Sequence, residues 1–211
     1  MVSSTKRFSP PIQNIVFDFG GVLANFDYGI VYRRFAQKSP LTVSEIHERL
    51  YYSSTHLDFE GGRITGREFY RQVVEVIHLR MDYETFFEAW ADIFWPIEPM
   101  LDLAEELGRR YELFLLSNTN EIHYTEFPKI PRLSDLIPRQ GVSHLLKVMK
   151  PDVRIYQRFL DKFTLRAKEC LFIDDMQVNV DGAKEAGLRA IRHKDVDSTR
   201  AELAKLGILD S

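Results

Sequence analysis

The amino-acid sequence predicts an α/β fold in which a parallel β-sheet carries helices on both of its faces. Three observations lead to this prediction: short apolar runs, amphipathic segments between them, and one long insert that has helical periodicity only. Apolar runs without polar alternation are typical of parallel strands, because both faces of such strands are buried. Strands that alternate with helices along a chain favour a parallel sheet.

Four apolar runs are predicted to be the strands of this sheet. They are "IVFDF" at 15–19, "LFLLS" at 113–117, "CLFIDD" at 170–175 and "LRAIR" at 188–192. The first three end in or carry polar residues, namely Asp18, Ser117, Asp174 and Asp175. Because ligands bind at the carboxyl ends of the strands in open α/β sheets, we expect these side chains to lie together at a binding site.

Amphipathic helices are predicted between the strands. "MLDLAEELGRR" precedes the second strand, "VRIYQRFLDKF" precedes the third, and "NVDGAKEAG" follows it. Gly187 stands where a glycine commonly ends a helix.

The stretch between the first two strands, residues 25–98, is predicted to be a helical insert above the sheet. In "TGREFYRQVVEVIHL", Thr65 and Glu68 form a possible capping box, and apolar residues such as Phe69 and Val73 then fall on one face. "DYETFFEAWADIF" is a second helical segment. The stretch is too long for a simple crossover and has no strand signal.

Composition restricts the class of protein. The 211 residues suit one domain with an insert, or one large domain, and 45% of them are hydrophobic, which is enough for a buried core. The net charge of −3 and the pI of about 6.1 provide no basic surface for a nucleic acid. We therefore expect no nucleic-acid partner, and a monomer or a weak dimer.

Cysteine content and hydropathy point to the cytoplasm. Cys170 is the only cysteine, which excludes an internal disulfide; it lies within a predicted strand and is expected to be a buried, inert thiol. No apolar stretch approaches the ~18 residues that cross a bilayer, so we expect no membrane partner. "MVSSTKRFSPP" at the N-terminus lacks the apolar segment of a signal peptide and is predicted to be a short flexible lead-in.

The carboxylates at the strand ends indicate a metal site. Asp18, Asp174 and Asp175 would repel one another if they met at one edge of the sheet. A hard divalent cation with oxygen ligands relieves this repulsion, and Mg²⁺ is the usual choice. Taken singly, Asp18 also fits a turn and the acid pair also fits a helix N-cap.

Other residues of the same edge suit a phosphate group. Ser117 and Asn118 offer a hydroxyl and an amide just before a helix start, although Ser117 also fits a helix cap. Lys150 directly precedes a helix that is predicted to begin with proline; Lys147, the rival lysine, lacks that feature. The Gly20-Gly21 turn lets backbone N–H groups approach phosphate oxygens.

This set of residues resembles the haloacid dehalogenase-like hydrolase superfamily, and specifically its helical-cap sugar-phosphate phosphatase branch, over residues 12 to 195. The resemblance implies a Rossmann-like core at 1–24 and 99–211 and a helical cap at 25–98. It implies that "FDFGGVL" supplies the nucleophile, Asp18, and that the phosphoryl group is bound by Ser117 and Lys150. The substrate would be a small phosphorylated metabolite, such as a hexose 1-phosphate.

The resemblance also implies the metal ligands. In "DDMQVN", Asp175 would bind Mg²⁺ directly, Asp174 would bind it directly or through water, and Asn179 completes the motif. Asp18 would be a further ligand. The family's remaining contact is the backbone carbonyl two residues after the nucleophile, which Gly20 retains.

Gly20 is the departure from the family pattern, which usually has a second aspartate at this position. That aspartate protonates the leaving oxygen and then activates water. Without it, we expect a preference for hexose 1-phosphates and aryl phosphates over hexose 6-phosphates, unless the cap or a water molecule supplies the proton. The first place to search is "HLDFEGG" at 56–62, although His56, Asp58 and Glu60 are expected at a solvated helix end.

Two other functions compete with a phosphatase. A metal-independent 2-haloacid dehalogenase of the same superfamily also lacks the second aspartate, but such enzymes typically lack the acid pair found here at Asp174 and Asp175. A catalytically degenerate phosphoryl-binding module is the other alternative. The nucleophile and the other three motifs are intact, which disfavours it.

Overall fold

The computed structural model describes residues 11–210, so the predicted N-terminal lead-in lies, apart from Pro11, outside the described residues. The elements of the first half are β1 (Asn14–Phe17), β2 (Ala24–Phe26), α1 (Tyr28–Ala36), α2 (Val43–Leu50), α3 (Ser54–Glu60), α4 (Gly66–Ile77), α5 (Tyr83–Ala91), β3 (Phe94–Pro96) and α6 (Glu98–Gly108). Those of the second half are β4 (Glu112–Ser117), α7 (Glu121–Tyr124), α8 (Leu133–Leu136), β5 (Arg139–Val142), α9 (Ser143–Leu146), α10 (Val153–Phe163), β6 (Cys170–Asp174), α11 (Gln177–Glu185), β7 (Arg189–Arg192) and α12 (Val196–Lys205).

A five-stranded sheet with the order β5-β4-β1-β6-β7 forms the centre of the fold, and all of its strand pairs are parallel. The predicted parallel α/β architecture is therefore confirmed. β1 lies in the middle, where Phe17 pairs with Leu115 of β4 and with Ile173 of β6. This register brings the carboxyl ends of the three strands to the same level.

Both faces of the sheet are buried, which explains the unbroken apolar runs. Ile15 and Phe17 of β1 pack into a cluster that contains apolar residues of α6 and α12. Val16 points to the opposite face and packs with apolar residues of α10 and α11. Successive residues of a strand point to opposite faces, so a central strand with helices on both sides needs apolar residues throughout.

The sequence did not reveal the edge strand β5. Its four residues, Arg139 to Val142, include a glycine and two polar side chains, and they pair only with β4. Edge strands need no continuous apolar run, because one side of the backbone lacks a partner strand. This strand therefore gives no local signal.

The insert contains α1 to α5, which share a separate apolar cluster that includes Phe35, Phe69 and Trp90. Thr65 and Glu68 form the predicted capping box at the start of α4. The expectation that residues 25–98 contain no strand is wrong, because β2 and β3 pair as an antiparallel ribbon at the two ends of the insert. Each strand has only three residues, and its partner is about seventy residues away, so local sequence gives no strand pattern.

Two further expectations concern Cys170 and the bilayer. Cys170 is fully buried in β6, and burial raises the pKa of its thiol to about 11, as expected for an inert cysteine. None of the described helices has the length and apolar character that a membrane span requires.

Candidate active site

Asp18 follows β1 directly and lies at the centre of the candidate site. Its backbone N–H donates to the carbonyl of Ile173 at 2.9 Å, and its Oδ1 accepts from the backbone N–H of Phe19 at 2.7 Å. Asp18, Asp174 and Asp175 each place one carboxylate oxygen within 4.8 Å of the others. The structure therefore brings together the three carboxylates that the sequence placed at one sheet edge.

Lys150 is the basic residue of this cluster. Its buried Nζ lies 2.7 Å from Asp18 Oδ1 and 2.7 Å from Asp174 Oδ2. Lys147, the rival, instead donates to the carbonyl of Gly62. Pro151 does not begin the following helix as expected, because Asp152 is the N-cap of α10 and Val153 is its first residue.

Asn118 holds the backbone of Lys150 rather than presenting a free amide. Its Nδ2 donates to the carbonyl of Lys150 at 2.9 Å, and its Oδ1 accepts from the N–H of Lys150 at 2.8 Å. Both polar atoms of the side chain are thus used to position the lysine. Asn118 also lines the cavity beside Asp18, and its contact with phosphate stays a prediction.

Asp174 is fully buried and is held by several donors. It accepts from Lys150, from the backbone N–H of Met176 at 2.8 Å and from Asn179 Nδ2 at 3.0 and 3.1 Å. Its carboxylate therefore holds the Lys150 ammonium in place. Asp175, by contrast, is partly exposed and lines the cavity next to Asp18.

The carboxylates outnumber the single lysine, and their pKa values reflect this imbalance. Burial raises the pKa of Asp18 well above its usual value, and repulsion from Asp174 adds to this, although Lys150 opposes it. Burial and the Asp174 charge also raise the pKa of Asp175. Burial acts in the same direction on Asp174, but Lys150 and the Met176 N–H together outweigh it, so the pKa of Asp174 falls.

This charge imbalance fits a divalent cation. Asp18 and Asp175 line one cavity with Gly20, and hard oxygen ligands in such a cluster are the donor type that Mg²⁺ prefers. A bound cation favours the ionised carboxylates and reverses the pKa shifts that burial produces.

A glycine is needed at position 21 for two reasons: its backbone conformation and the close approach of the Asp175 carboxylate. Its φ of +73° lies in the left-handed region, and a Cβ at this position would lie 2.7 Å from Asp175 Oδ2. Its N–H donates to the carbonyl of Ala24 at 2.8 Å. The predicted contact between this N–H and phosphate is therefore not supported, although glycine is still needed here.

Ser117 ends β4 and is buried, with its hydroxyl 3.3 Å from the carbonyl of Asn118. It does not cap the next helix, because the N-cap of α7 is Asn120. Its role in binding a phosphoryl group stays a prediction.

Phe26 of β2 occupies the space that a side chain at Gly20 would enter. A Cβ on Gly20 would lie 2.8 Å from Cε1 of Phe26. The Phe26 ring in turn packs edge-on against Tyr28, with 5.9 Å between ring centroids. An apolar ring thus replaces the acid that the sequence lacks at this position.

A cavity of about 160 Å³ opens between Asp18 and the insert. The insert contributes aromatic walls, and the core loops contribute two methionines; the residues concerned are Phe26, Tyr28, Tyr51, Tyr52, Met149 and Met176. Sequence reasoning missed this wall. The "NFDYG" and "YY" segments carry aromatic residues, but only the packing of the insert on the core directs them to Asp18.

The expectation of a solvated helix end at 56–60 is wrong for two of its three residues. His56 and Glu60 are buried and line the cavity, whereas Asp58 is partly exposed and pairs with Arg63 at 2.6 Å. Glu60 Oε1 accepts from Asn120 Nδ2 of the core at 2.6 Å, and Ser143 Oγ donates to the Glu60 carbonyl at 2.6 Å. These contacts dock the end of α3 on the sheet.

Comparisons with known proteins agree with this geometry. A family model described as haloacid dehalogenase-like hydrolase matches residues 12–187. D-ribitol-5-phosphate phosphatase of Bacteroides thetaiotaomicron is 26% identical over 91% of this chain and 97% of that protein. A protein of Mycobacterium tuberculosis that is named a phosphatase is 27% identical over 94% of this chain and 97% of its own length.

A solved structure also resembles the fold. It is a HAD family enzyme of Bacteroides thetaiotaomicron in complex with magnesium and inorganic phosphate, with a TM-score of 0.77 and 27% identity. The match covers 87% of this chain and 94% of that one.

Proposed function

The chain belongs to the haloacid dehalogenase-like hydrolase family, and we propose that it is a magnesium-dependent phosphatase that acts through an aspartyl-phosphate intermediate. The observation that carries the proposal is the cluster at the cavity floor, where Asp18 is held by Lys150 and faces Asp175. The phosphatase names of two relatives and the magnesium and phosphate in a similar structure support it.

In this proposal Asp18 attacks phosphorus and carries the phosphoryl group. Lys150 orients the attacking carboxylate and offsets charge on the phosphoryl oxygens, and Ser117 is the further phosphoryl-binding residue. Asp18, Asp175 and the Gly20 carbonyl would hold Mg²⁺, and Asp174 would bind it directly or through water. When bound, Mg²⁺ neutralises charge on the transferring group.

The charges of the cavity-lining residues favour a substrate whose leaving group is uncharged. Among the described residues that line the cavity, there is no arginine and no lysine except Lys150, which is already paired. Glu60 adds a negative charge to the wall. Aromatic rings with a few polar groups suit the faces of a sugar or a sugar alcohol. A monophosphate such as a hexose 1-phosphate or a pentitol phosphate is therefore proposed, with residues 25–98 acting as the cap.

A second anionic group on the substrate is expected to lower the rate. We expect kcat/KM for a hexose 1,6-bisphosphate to be at least about tenfold below that for the matching hexose 1-phosphate, since the second phosphate meets no free cation in the cavity. Phosphate release from both compounds measures this. Equal or faster hydrolysis of the bisphosphate would show that the leaving group lies outside this cavity.

One assay separates the proposal from its two alternatives. The proposed enzyme releases phosphate from 4-nitrophenyl phosphate only with Mg²⁺ and releases no halide from 2-chloropropionate. A dehalogenase would release halide without metal, and the carboxylate of its substrate would meet the same lack of cations. A degenerate module would bind inorganic phosphate and turn over neither compound.

A further inference from the structure

The site lacks a proton donor on the nucleophile loop, and this lack matters for alcohol leaving groups. Gly20 has no side chain, and the Phe26 ring fills the adjacent space. When the bond between phosphorus and an alcohol oxygen breaks, the departing oxygen takes the electron pair and needs a proton. A donor is therefore expected elsewhere in the cavity.

Five insert residues with polar groups line the cavity, namely Tyr28, Tyr51, Tyr52, His56 and Glu60. Tyr28, His56 and Glu60 form a connected trio. The Tyr28 hydroxyl lies 3.2 Å from His56 Nε2, and the same nitrogen lies 3.6 Å from Glu60 Oε1. His56 and Glu60 are buried, whereas Tyr28 is partly exposed. Tyr28 is thus the member of this trio that is most open to a ligand.

The protonation state of Glu60 determines which residue is the donor in the hydrogen bond between His56 and Tyr28. Burial alone would raise its pKa, but the contacts with His56, His123 and the Asn120 amide together outweigh this effect, so the pKa of Glu60 falls and the carboxylate is ionised. Its neighbour His123 is neutral, because burial lowers the pKa of that imidazole to about 4. An ionised carboxylate only accepts hydrogen bonds, so the proton of His56 is assigned to Nε2.

This tautomer leaves the Tyr28 proton available. With the proton on Nε2, His56 donates to the Tyr28 oxygen at 3.2 Å and faces the Glu60 carboxylate at the ion-pair distance of 3.6 Å, so the Tyr28 O–H is free to donate into the cavity. The position of Tyr28 is also suitable, because its ring packs on Phe26, which occupies the space beside Gly20.

Resting on the proposed phosphatase function, we propose that Tyr28 is the catalytic acid for the leaving oxygen, with His56 and Glu60 as its positioning residues. In the first step Asp18 forms a bond to phosphorus, the bond to the leaving oxygen breaks, and the Tyr28 proton goes to that oxygen. Burial and the Glu60 charge raise the pKa of Tyr28 well above its usual value, and the His56 Nε2–H offsets part of this cost for the resulting phenolate. In the second step water attacks phosphorus, the bond to Asp18 breaks, and the water proton returns to Tyr28.

The test is the dependence of rate on the leaving group. Single-turnover formation of the aspartyl-phosphate is measured with 4-nitrophenyl phosphate, phenyl phosphate and D-ribitol 5-phosphate. Tyr28→Phe keeps the ring and removes the hydroxyl. We expect this variant to lose on the order of 10²-fold or more on the alkyl ester, and little on 4-nitrophenyl phosphate, whose leaving group departs as an anion.

Tyr32→Phe is the matched control. Tyr32 lies one turn further along α1, its ring stacks on Tyr28 at 5.9 Å, and its buried hydroxyl has no hydrogen-bond partner among the described residues. Removing an unpaired hydroxyl costs little stability. All three rates should stay at the wild-type level in this control.

Rescue distinguishes proton donation from a structural role. Gly20→Asp restores a carboxyl at the family position, where its Cβ requires a shift of the half-exposed Phe26 ring. We expect Gly20→Asp to restore the alkyl-ester rate in the Tyr28→Phe background, compared with Tyr28→Phe alone. A loss in Tyr28→Phe that is equal for all leaving groups, or that Gly20→Asp leaves uncorrected, would overturn the inference.

The positioning role of His56 is tested by the rates of two His56 variants on the same leaving groups. His56→Gln retains an N–H donor and should keep most of the alkyl-ester rate, whereas His56→Leu should lose it and still hydrolyse 4-nitrophenyl phosphate. Identical rates for these two variants would refute the positioning role. Wild-type hydrolysis of 4-nitrophenyl phosphate distinguishes failure of the proposed phosphatase function from failure of the role of Tyr28. If the wild type does not hydrolyse this compound, both proposals fail. If it does, and Tyr28→Phe has wild-type rates, only the role of Tyr28 fails.

Discussion

Asp18→Asn is expected to lower the turnover of 4-nitrophenyl phosphate by several orders of magnitude, on the order of 10³-fold or more, while the protein stays folded. The amide is a poor nucleophile and cannot form the aspartyl-phosphate. The fold should persist because an Asn Oδ1 still accepts from the Phe19 N–H and from Lys150. Lys150 also retains its ion pair with Asp174.

Steady-state phosphate release and thermal unfolding measure the two parts of this expectation. Asp102→Asn is the matched control, because Asp102 is an exposed residue of α6 that pairs with Arg132 on the surface. The control should keep wild-type turnover and a similar unfolding temperature. A folded Asp18→Asn protein with turnover near the wild-type rate would remove Asp18 from the nucleophile role.

Residues whose position depends on local sequence could be predicted. Asp18, Ser117 and Asp174 come directly after or at the end of buried apolar runs, and parallel pairing then brings them to one level. Thr65 likewise caps α4 through a contact three residues away. Such features need only the strand or helix period and one terminal residue.

Residues whose environment depends on the docking of the insert could not be predicted. The sequence around His56 and Glu60 resembles a solvated helix end, but Asn120 and Ser143, which lie 60 and 83 residues from Glu60 along the chain, help to bury it. The aromatic wall has the same origin. Gly21 shows a subtler limit: the glycine was identified, but it makes room for Asp175 instead of directing its N–H to a phosphate.

Removal of Mg²⁺ is expected to abolish phosphatase activity, and its return should restore the rate. Without a cation, the Asp174 charge repels both Asp18 and Asp175, and burial favours their protonated forms. A protonated Asp18 is a poor nucleophile, and nothing but Lys150 then offsets charge on the phosphoryl group. Because the cation competes with protons for these carboxylates, its affinity should fall as the pH is lowered.

Asp175→Ala should raise the Mg²⁺ concentration needed for half-maximal rate or end activity altogether. The substitution removes the partly exposed carboxylate that lines the cavity and leaves Asp174 bound to Lys150 and Asn179. Calorimetric titration with Mg²⁺ gives a readout that is independent of turnover, and Mg²⁺ should raise the unfolding temperature of the wild type but not of this variant.

Asp181→Ala is the matched control. This residue lies at an exposed position of α11 and contacts Gln177, so the variant should bind Mg²⁺ like the wild type. Full activity in metal-free wild type would mean that the carboxylate cluster holds Lys150 in place and that catalysis needs no metal. Unchanged Mg²⁺ affinity in Asp175→Ala would remove Asp175 from the metal ligands.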